Sequence, residues 1–419
     1  MPDHKHRPRV VITGLGAITP IGLDIATFWA GLLAGRSGVR RVTQFDASHL
    51  PCRIAGEVPD FDPRNYLDIK EARRVSRSSQ FALAAASEAL ADSGLPQPFL
   101  DPERVGIVFG TAAGGVDKMD DETQVLRNKG LARVNPFAIP ATMYNMAAHL
   151  IAHRFQNLGP SNTISTACAT GTQAVGEAAE LIRREAADVV IAGGADGVIR
   201  DFSLGGFAAM RGLPVCFNDC PERASRPFDH DREGFVFSEG CGVLILERLE
   251  HALARGARIY AEVLGHASSS DGYHMAAPDP GAAGAIRAMR WALADAGLQP
   301  AEVDYINAHG TSTPANDAAE TFAIKELFGP IAYQIPISST KSMIGHSMGA
   351  AGALEAIVCA LTICHKTIHP TINYETPDPQ CDLDYVPNTQ REALIRRTLS
   401  NSFGLGGQNA CLVLGEFTG

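Results

Sequence analysis

No run of apolar residues in this 419-residue sequence approaches the ~18 that span a bilayer, which argues against a membrane protein. Glycine is plentiful at 41 residues but follows no three-residue period, so a collagen-like chain is excluded. A cationic excess is missing as well. The net charge is −10, which argues against a general binder of nucleic acid or anionic membrane. An acidic partner would need a local basic patch. The nine cysteines include no Cys-x-x-Cys pair and are read as reduced thiols of a cytoplasmic protein. Cys216 and Cys220 stand four apart, but no matching Cys or His pair follows them as zinc spacing requires. The opening, Met1–Arg9, is polar and lacks the apolar stretch of a signal peptide. What is present is 45% apolar and 20% charged residues, a composition that buries a large core.

Short β-branched runs alternate with helical patterns. Strands are predicted at Val10–Thr13, Val105–Phe109, Val189–Gly193, Gly242–Leu246, Ile259–Leu264, Val303–Ile306, Ile335–Ser338 and Ala410–Leu414. Helices are predicted at Ser79–Leu90, Gly171–Arg183, Ala282–Ala294, Ala315–Leu327 and Gly349–Ile363. The alternation implies a layered α/β architecture. There is a faint internal echo. Val105–Thr111 and Val303–Thr311 are both strand-then-glycine units. Ile164–Cys168 and Ser338–Lys341 each lead toward a helix of small residues. Two related halves joined near residue 256 would explain both pairs.

Val10-Val11-Ile12-Thr13-Gly14-Leu15-Gly16 looks like the start of a dinucleotide fold. The third glycine of that fingerprint is Thr19 here, and Pro20 follows, which suits a loop rather than a helix that receives a pyrophosphate. The segment is read as a buried strand ending in a tight turn. Three other clusters carry chemistry. In Thr163–Thr172 a β-branched run ends and a helix begins, which puts Cys168 near a helix N-terminus; dipole and free amides there favour thiolate. In Asn307-Ala308-His309-Gly310-Thr311 a strand delivers His309 to a small polar loop, with Asp317 and Glu320 on the helix that follows. In Ser339–Gly352 a second strand end carries Lys341 and His346. The Gly-Lys-Ser/Thr order of a phosphate loop is absent. One Cys and two His at strand ends suggest nucleophilic catalysis, and two neutral imidazoles can each donate a hydrogen bond to a developing anion.

These clusters together resemble the β-ketoacyl-[acyl carrier protein] synthases, the elongating condensing enzymes of type II fatty acid synthesis. The likeness runs from Val11-Ile12-Thr13-Gly14-Leu15-Gly16 to Asn401–Gly407, and includes Ser225-Arg226-Pro227-Phe228-Asp229 and Arg232–Val236. It implies the thiolase fold, five layers αβαβα in two pseudo-equivalent halves, 1–256 with the nucleophile and 257–419 with both His. It implies an acyltransferase and a homodimer with a sheet continued across the interface. It needs no cofactor of its own, since phosphopantetheine arrives on the carrier protein. Cys168 would take the acyl chain, and His309 and His346 would stabilise the enolate formed when malonyl-carrier loses CO2. Lys341 would balance charge with Glu320, and Asp317 would buttress nearby loops. Backbone amides at Cys168 and Leu405 would form the oxyanion hole. Phe403, Leu405 and Asp271 would belong to the gating loops. Lys70, Arg73, Arg74 and Arg211 match the family's docking positions for an acidic carrier protein. Asn307, Glu355 and Asn401 match a monovalent-cation site, although no metal is required for the chemistry.

Two departures stand out. Most relatives carry Phe where Leu405 stands, and a bulkier residue where Ala113 lines the acyl pocket. Both reduce side-chain volume, which predicts longer, branched or unusual acyl chains, or a neutral lineage difference. A ketosynthase of a type II polyketide or polyene pathway is the alternative reading. A thiolase would place a second Cys near the His motifs, whereas Cys411 lies inside an apparent strand. A non-catalytic chain-length factor would lack the nucleophile that Cys168 supplies.

Overall fold

The computed structural model of the chain describes residues 7–419; the polar opening at residues 1–6, read above as no signal peptide, lies outside the described residues. Ten strands form one mixed sheet. In chain order they are β1 (Val10–Ile18), β2 (Val105–Gly110), β3 (Ser161–Ile164), β4 (Val189–Asp196), β5 (Gly240–Arg248), β6 (Ala261–Ser270), β7 (Tyr305–Asn307), β8 (Ile337–Ser338), β9 (Arg397–Gly404) and β10 (Gln408–Gly415). Across the sheet the order is β8-β7-β9-β10-β6-β1-β5-β4-β2-β3. One pattern is used twice. The parallel trio β3-β2-β4 is followed by antiparallel β5 and β1, and the parallel trio β8-β7-β9 by antiparallel β10 and β6. The two fives meet where Val11 and Ile12 of β1 pair antiparallel with Glu262 and Ala261 of β6.

Parallel strands require crossovers, and helices supply them. The five that matter here are α1 (Arg77–Ser93), α2 (Thr170–Arg183), α3 (Ala283–Asp295), α4 (Pro314–Phe328) and α5 (Ala351–His365). Helices α2 and α5 lie against each other and against strands of both fives, so they form the middle layer. On the outer faces, α1 covers β1 and β5, and α3 covers β6 and β10 with α4 packed beside it. The result is the five-layered α/β thiolase fold expected from the resemblance.

Two expectations need correction. The stretch Met348–His365, which includes all of α5, is apolar and long enough to cross a bilayer by composition, contrary to the opening reading. It is 89% buried inside the molecule, because a helix packed between the two five-stranded halves of the sheet must be apolar all round. The strand at the start does not stop at Thr13 but runs to Ile18. Its glycines serve packing: a Cβ on Gly16 would lie 2.0 Å from the Ala85 carbonyl oxygen, so the bare backbone is what lets α1 approach. Strands β3 and β9 were not predicted. β9 is polar by composition, yet Thr398, Ser400, Asn401 and Ser402 are fully buried.

Candidate active site

Cys168 stands where β3 gives way to α2. Ala167 adopts φ of +50°, a left-handed conformation that costs a side-chain-bearing residue ~1–3 kcal/mol, and so turns the chain sharply before the sulfur. A 3-10 turn, Ala167–Ala169, then enters α2. The second half repeats the device at the head of α5, with Met348 at φ +51° and a 3-10 turn at Met348–Ala350. The internal echo is thereby re-registered. The counterpart of the Cys168 turn is Met348–Ala350, and the residues inserted before it, 339–347, carry Lys341 and His346.

The three groups converge. His346 Nε2 lies 3.0 Å from Cys168 Sγ. The sulfur and one nitrogen of each of His309 and His346 all lie within 4.8 Å of one another. The imidazole planes are 86° apart with centroids separated by 5.5 Å. Phe403 sets its edge against His309 at 5.8 Å, and Phe235 does the same to His346 at 5.5 Å. Burial first, and the nearby charge of Lys341 second, hold both imidazoles well below the ordinary histidine range, so both are neutral at pH 7. Neither Nδ1 has a hydrogen-bond partner among the described residues; the His309 ring reaches the Phe403 backbone, and His346 Nε2 the Cys168 sulfur.

The thiolate expected for Cys168 is corrected. Burial pushes its thiol up to about 11, against the opposing pull of the Leu405 backbone amide and of Lys341. Desolvation outweighs the helix dipole because the sulfur is almost wholly removed from water. The resting group is a thiol beside a neutral imidazole. The Leu405 amide does reach the sulfur, as an oxyanion donor paired with the Cys168 amide would require.

Lys341 is corrected too. Its ammonium pairs with Glu355, not with Glu320, and both partners are buried. Glu320 instead accepts the backbone N–H groups of His309 and Gly310, each at 2.8 Å, and the Asn401 side-chain amide at 3.2 Å. It therefore holds the His309 loop. Burial pushes the carboxyls of Glu320 and Glu355 up to about 7. Asp317 accepts the Phe228 amide at 2.8 Å and lies 3.6 Å from Arg232, which ties the Ser225–Asp229 motif to the head of α4. Asp271 accepts the Asn409 side-chain amide at 2.7 Å and donates its own N–H to the Gly407 carbonyl at 2.8 Å, so it braces the glycine turn between β9 and β10.

A cavity of about 460 Å³ opens onto Cys168, His309 and His346. Phe403, Leu405 and Asp271 line it, as does Arg211 at the end of a helix. Ala113 does not line it, contrary to its expected place in the acyl pocket; it packs in the apolar cluster that holds Cys168 and Met348. Lys70, Arg73 and Arg74 project from the short helix Ile69–Arg74 and are exposed. Phe207 and Met348 also line the cavity; Met348 falls inside the Ser339–Gly352 cluster, whereas no motif in the sequence marks Phe207. Two buried oxygens near the site, Asn307 Oδ1 and Glu355 Oε2, have no hydrogen-bond partner among the described residues.

The chain is similar to known proteins. Residues 7–252 match the beta-ketoacyl synthase N-terminal domain, and residues 260–375 the beta-ketoacyl synthase C-terminal domain. A 3-oxoacyl-[acyl-carrier-protein] synthase 2 from Synechocystis sp. is 49% identical over 411 residues, 98% of this chain and 99% of that protein. Among solved structures, the ishigamide ketosynthase/chain length factor superposes with a TM-score of 0.91 at 40% identity, covering 98% of this chain and 100% of the other. A type II polyketide ketosynthase bound to the hexaketide, in complex with its acyl carrier protein, superposes with a TM-score of 0.90 at 36% identity over the same shares.

Proposed function

The chain belongs to the beta-ketoacyl synthase family, and we propose that it elongates fatty acids as a β-ketoacyl-carrier synthase, an acyltransferase that condenses malonyl-carrier with a Cys-bound acyl chain. The observation that carries the proposal is the convergence of one thiol and two neutral imidazoles at the foot of one cavity.

In the first half-reaction Cys168 Sγ attacks the acyl thioester on the carrier's phosphopantetheine. The thiol proton has an acceptor 3.0 Å away in His346 Nε2, and the departing pantetheine sulfur takes it back. The oxyanion of this step meets the Cys168 and Leu405 amides. In the second half-reaction malonyl-carrier loses CO2 and leaves an enolate. That carbon attacks the Cys168 thioester and the sulfur leaves as thiolate, which takes a proton from solvent to restore the resting thiol, giving a chain two carbons longer. No base need remove a carbon-bound proton; His309 and His346 need only donate to the enolate oxygen, His346 after its one ring proton has exchanged to Nε2 between the half-reactions, each such donor being worth ~3 kcal/mol. The Lys341–Glu355 pair keeps a positive charge near both rings, which favours the neutral imidazoles this step uses. The unpartnered oxygens of Asn307 and Glu355, with Asn401 close by, suit a monovalent cation, which would add fixed positive charge beneath the two His loops.

The partner is an acyl carrier protein, met at Lys70, Arg73, Arg74 and Arg211. The chain acts as a homodimer. Strand β3 is an exposed sheet edge, and Met119, Phe137, Ile139, Met143 and Tyr144 before it are large, apolar and exposed, a surface that supports burial against a second copy. The repeated strand order supports the division at residues 1–256 and 257–419. Nine unpaired thiols support a reducing, cytoplasmic location.

A second reading, a ketosynthase of a type II polyketide or polyene pathway, draws on the two solved structures above and on Leu405 in the gate. One experiment addresses both. Mass spectrometry after incubation with a panel of acyl-carriers should find the acyl group on Cys168, and malonyl-carrier should then yield the β-keto product two carbons longer. Acylation elsewhere would overturn the mechanism. Saturated chains loaded faster than polyketide intermediates favour fatty acid synthesis, and the reverse favours the second reading.

A further inference from the structure

Asp196 ends β4 and is fully buried. No cation pairs with it among the described residues. Its carboxylate is held by four donors instead. Oδ1 accepts from Thr111 Oγ1 at 2.7 Å and from the Ala113 amide at 3.1 Å. Oδ2 accepts from the Ala112 amide at 3.0 Å and from the Gly349 amide at 2.7 Å. Four donors and no acceptor select an ionised carboxylate over the amide of asparagine, which would set its own N–H groups against two of them.

These donors come from two separate turns. Thr111–Ala113 follow β2 and pack with Cys168, and Thr111 Oγ1 also accepts the Gly114 amide at 2.8 Å. Gly349 sits at the head of α5, three residues after His346. The intervening Met348 is in the left-handed conformation and lines the cavity, so this turn is strained and needs holding. At its other end the turn is pinned at His346, whose N–H donates to the Val236 carbonyl at 2.7 Å and whose carbonyl accepts from Ser238 at 3.0 Å. Asp196 is the matching pin at Gly349.

We propose that Asp196 is a positioning residue: it yokes the Thr111–Ala113 turn beside the nucleophile to the Met348–Gly349 turn, and so sets the His346 imidazole at its working distance from Cys168. The inference rests on the condensing activity proposed above and deepens it. A misplacement of ~1 Å in such a group costs up to ~100-fold in rate, so the yoke acts on turnover rather than on substrate binding. The carboxylate's negative charge also adds to the upward pressure on the Cys168 thiol.

The test compares wild type, Asp196→Asn and the milder Thr111→Val, each as the full chain. Turnover is expressed per alkylatable Cys168. In Asp196→Asn, kcat should fall ~10- to 100-fold with KM for malonyl-carrier within about twofold. The pH curve for alkylation of Cys168 should move to lower pH while the thermal midpoint stays within a few degrees of wild type, which separates loss of the carboxylate's charge from water admitted by general loosening. Wild-type kcat, or a loss confined to KM, overturns the proposal. Should Asp196→Asn fail to fold, Thr111→Val decides. A kcat at least about threefold lower at unchanged KM supports the yoke, and unchanged kcat refutes it. Wild-type turnover in the same assay tests the condensing reading separately, since its absence would sink that reading whatever Asp196 does.

Discussion

At Cys168 two effects of opposite sign meet, and their sizes decide the chemistry. A helix terminus contributes ~0.3–1 kcal/mol toward the thiolate, whereas full burial shifts a titratable group by up to several units the other way. The thiol pushed up to about 11 should therefore be alkylated by iodoacetamide at a rate that rises about tenfold per pH unit through neutral and alkaline pH. A plateau near neutrality would show that the thiolate already predominates there. Lys341 and Glu355 are a second residue-scale case. A buried pair gains little over an apolar pair, but a lone buried charge is costly. Lys341→Met should thus lower stability by ~3–5 kcal/mol in denaturant unfolding, and adding Glu355→Leu should restore much of it. Sequence proximity pointed to neither partner. Lys341 and Glu355 are fourteen residues apart and meet only because one precedes α5 and the other lies within it.

Elements were legible to the extent that their residues repeat. Helices α2 and α5 announce themselves through small apolar residues, and their places agree with prediction to within two residues. Their contact was not legible. A Cβ on Gly352 would fall 2.1 Å from Thr172 Oγ1 and 2.4 Å from its amide nitrogen, so the middle layer closes only over a bare Cα. Gly352→Ala should part the helices, which carry Cys168 and the Met348–Gly349 turn at their heads. The expected cost is ~1–3 kcal/mol, read as a lower thermal midpoint, with a greater loss in the rate of Cys168 acylation. Stability unchanged in this variant would show that the layer can give. Strand β9 escaped prediction because, apart from Leu399, its fully buried side chains are hydroxyls and an amide. Asn401 and Ser402 bond to Glu320 and Thr172, and periodicity scales register only apolar residues.

For the whole molecule, an acidic protein would meet the acidic carrier proposed as its partner through local charge. Lys70, Arg73 and Arg74 are exposed on one short helix whose start is capped by Asp68, and Arg74 lies 4.4 Å over the Phe137 ring, which holds it in place. Reversing the charge of Arg73 and Arg74 should raise KM for acyl-carrier by at least about tenfold, with KM for acyl-CoA within about twofold. Equal effects on both donors would refute docking there. The sequence by itself determined the fold class and located the thiol and two imidazoles proposed to react, because they sit in local strand-end motifs whose spacing needs no partner to be read. Only the tertiary structure decided which charges pair, whether the sulfur rests as thiol or thiolate, and what holds the two turns together. Those depend on distances between segments far apart in the chain and on how much water folding leaves between them.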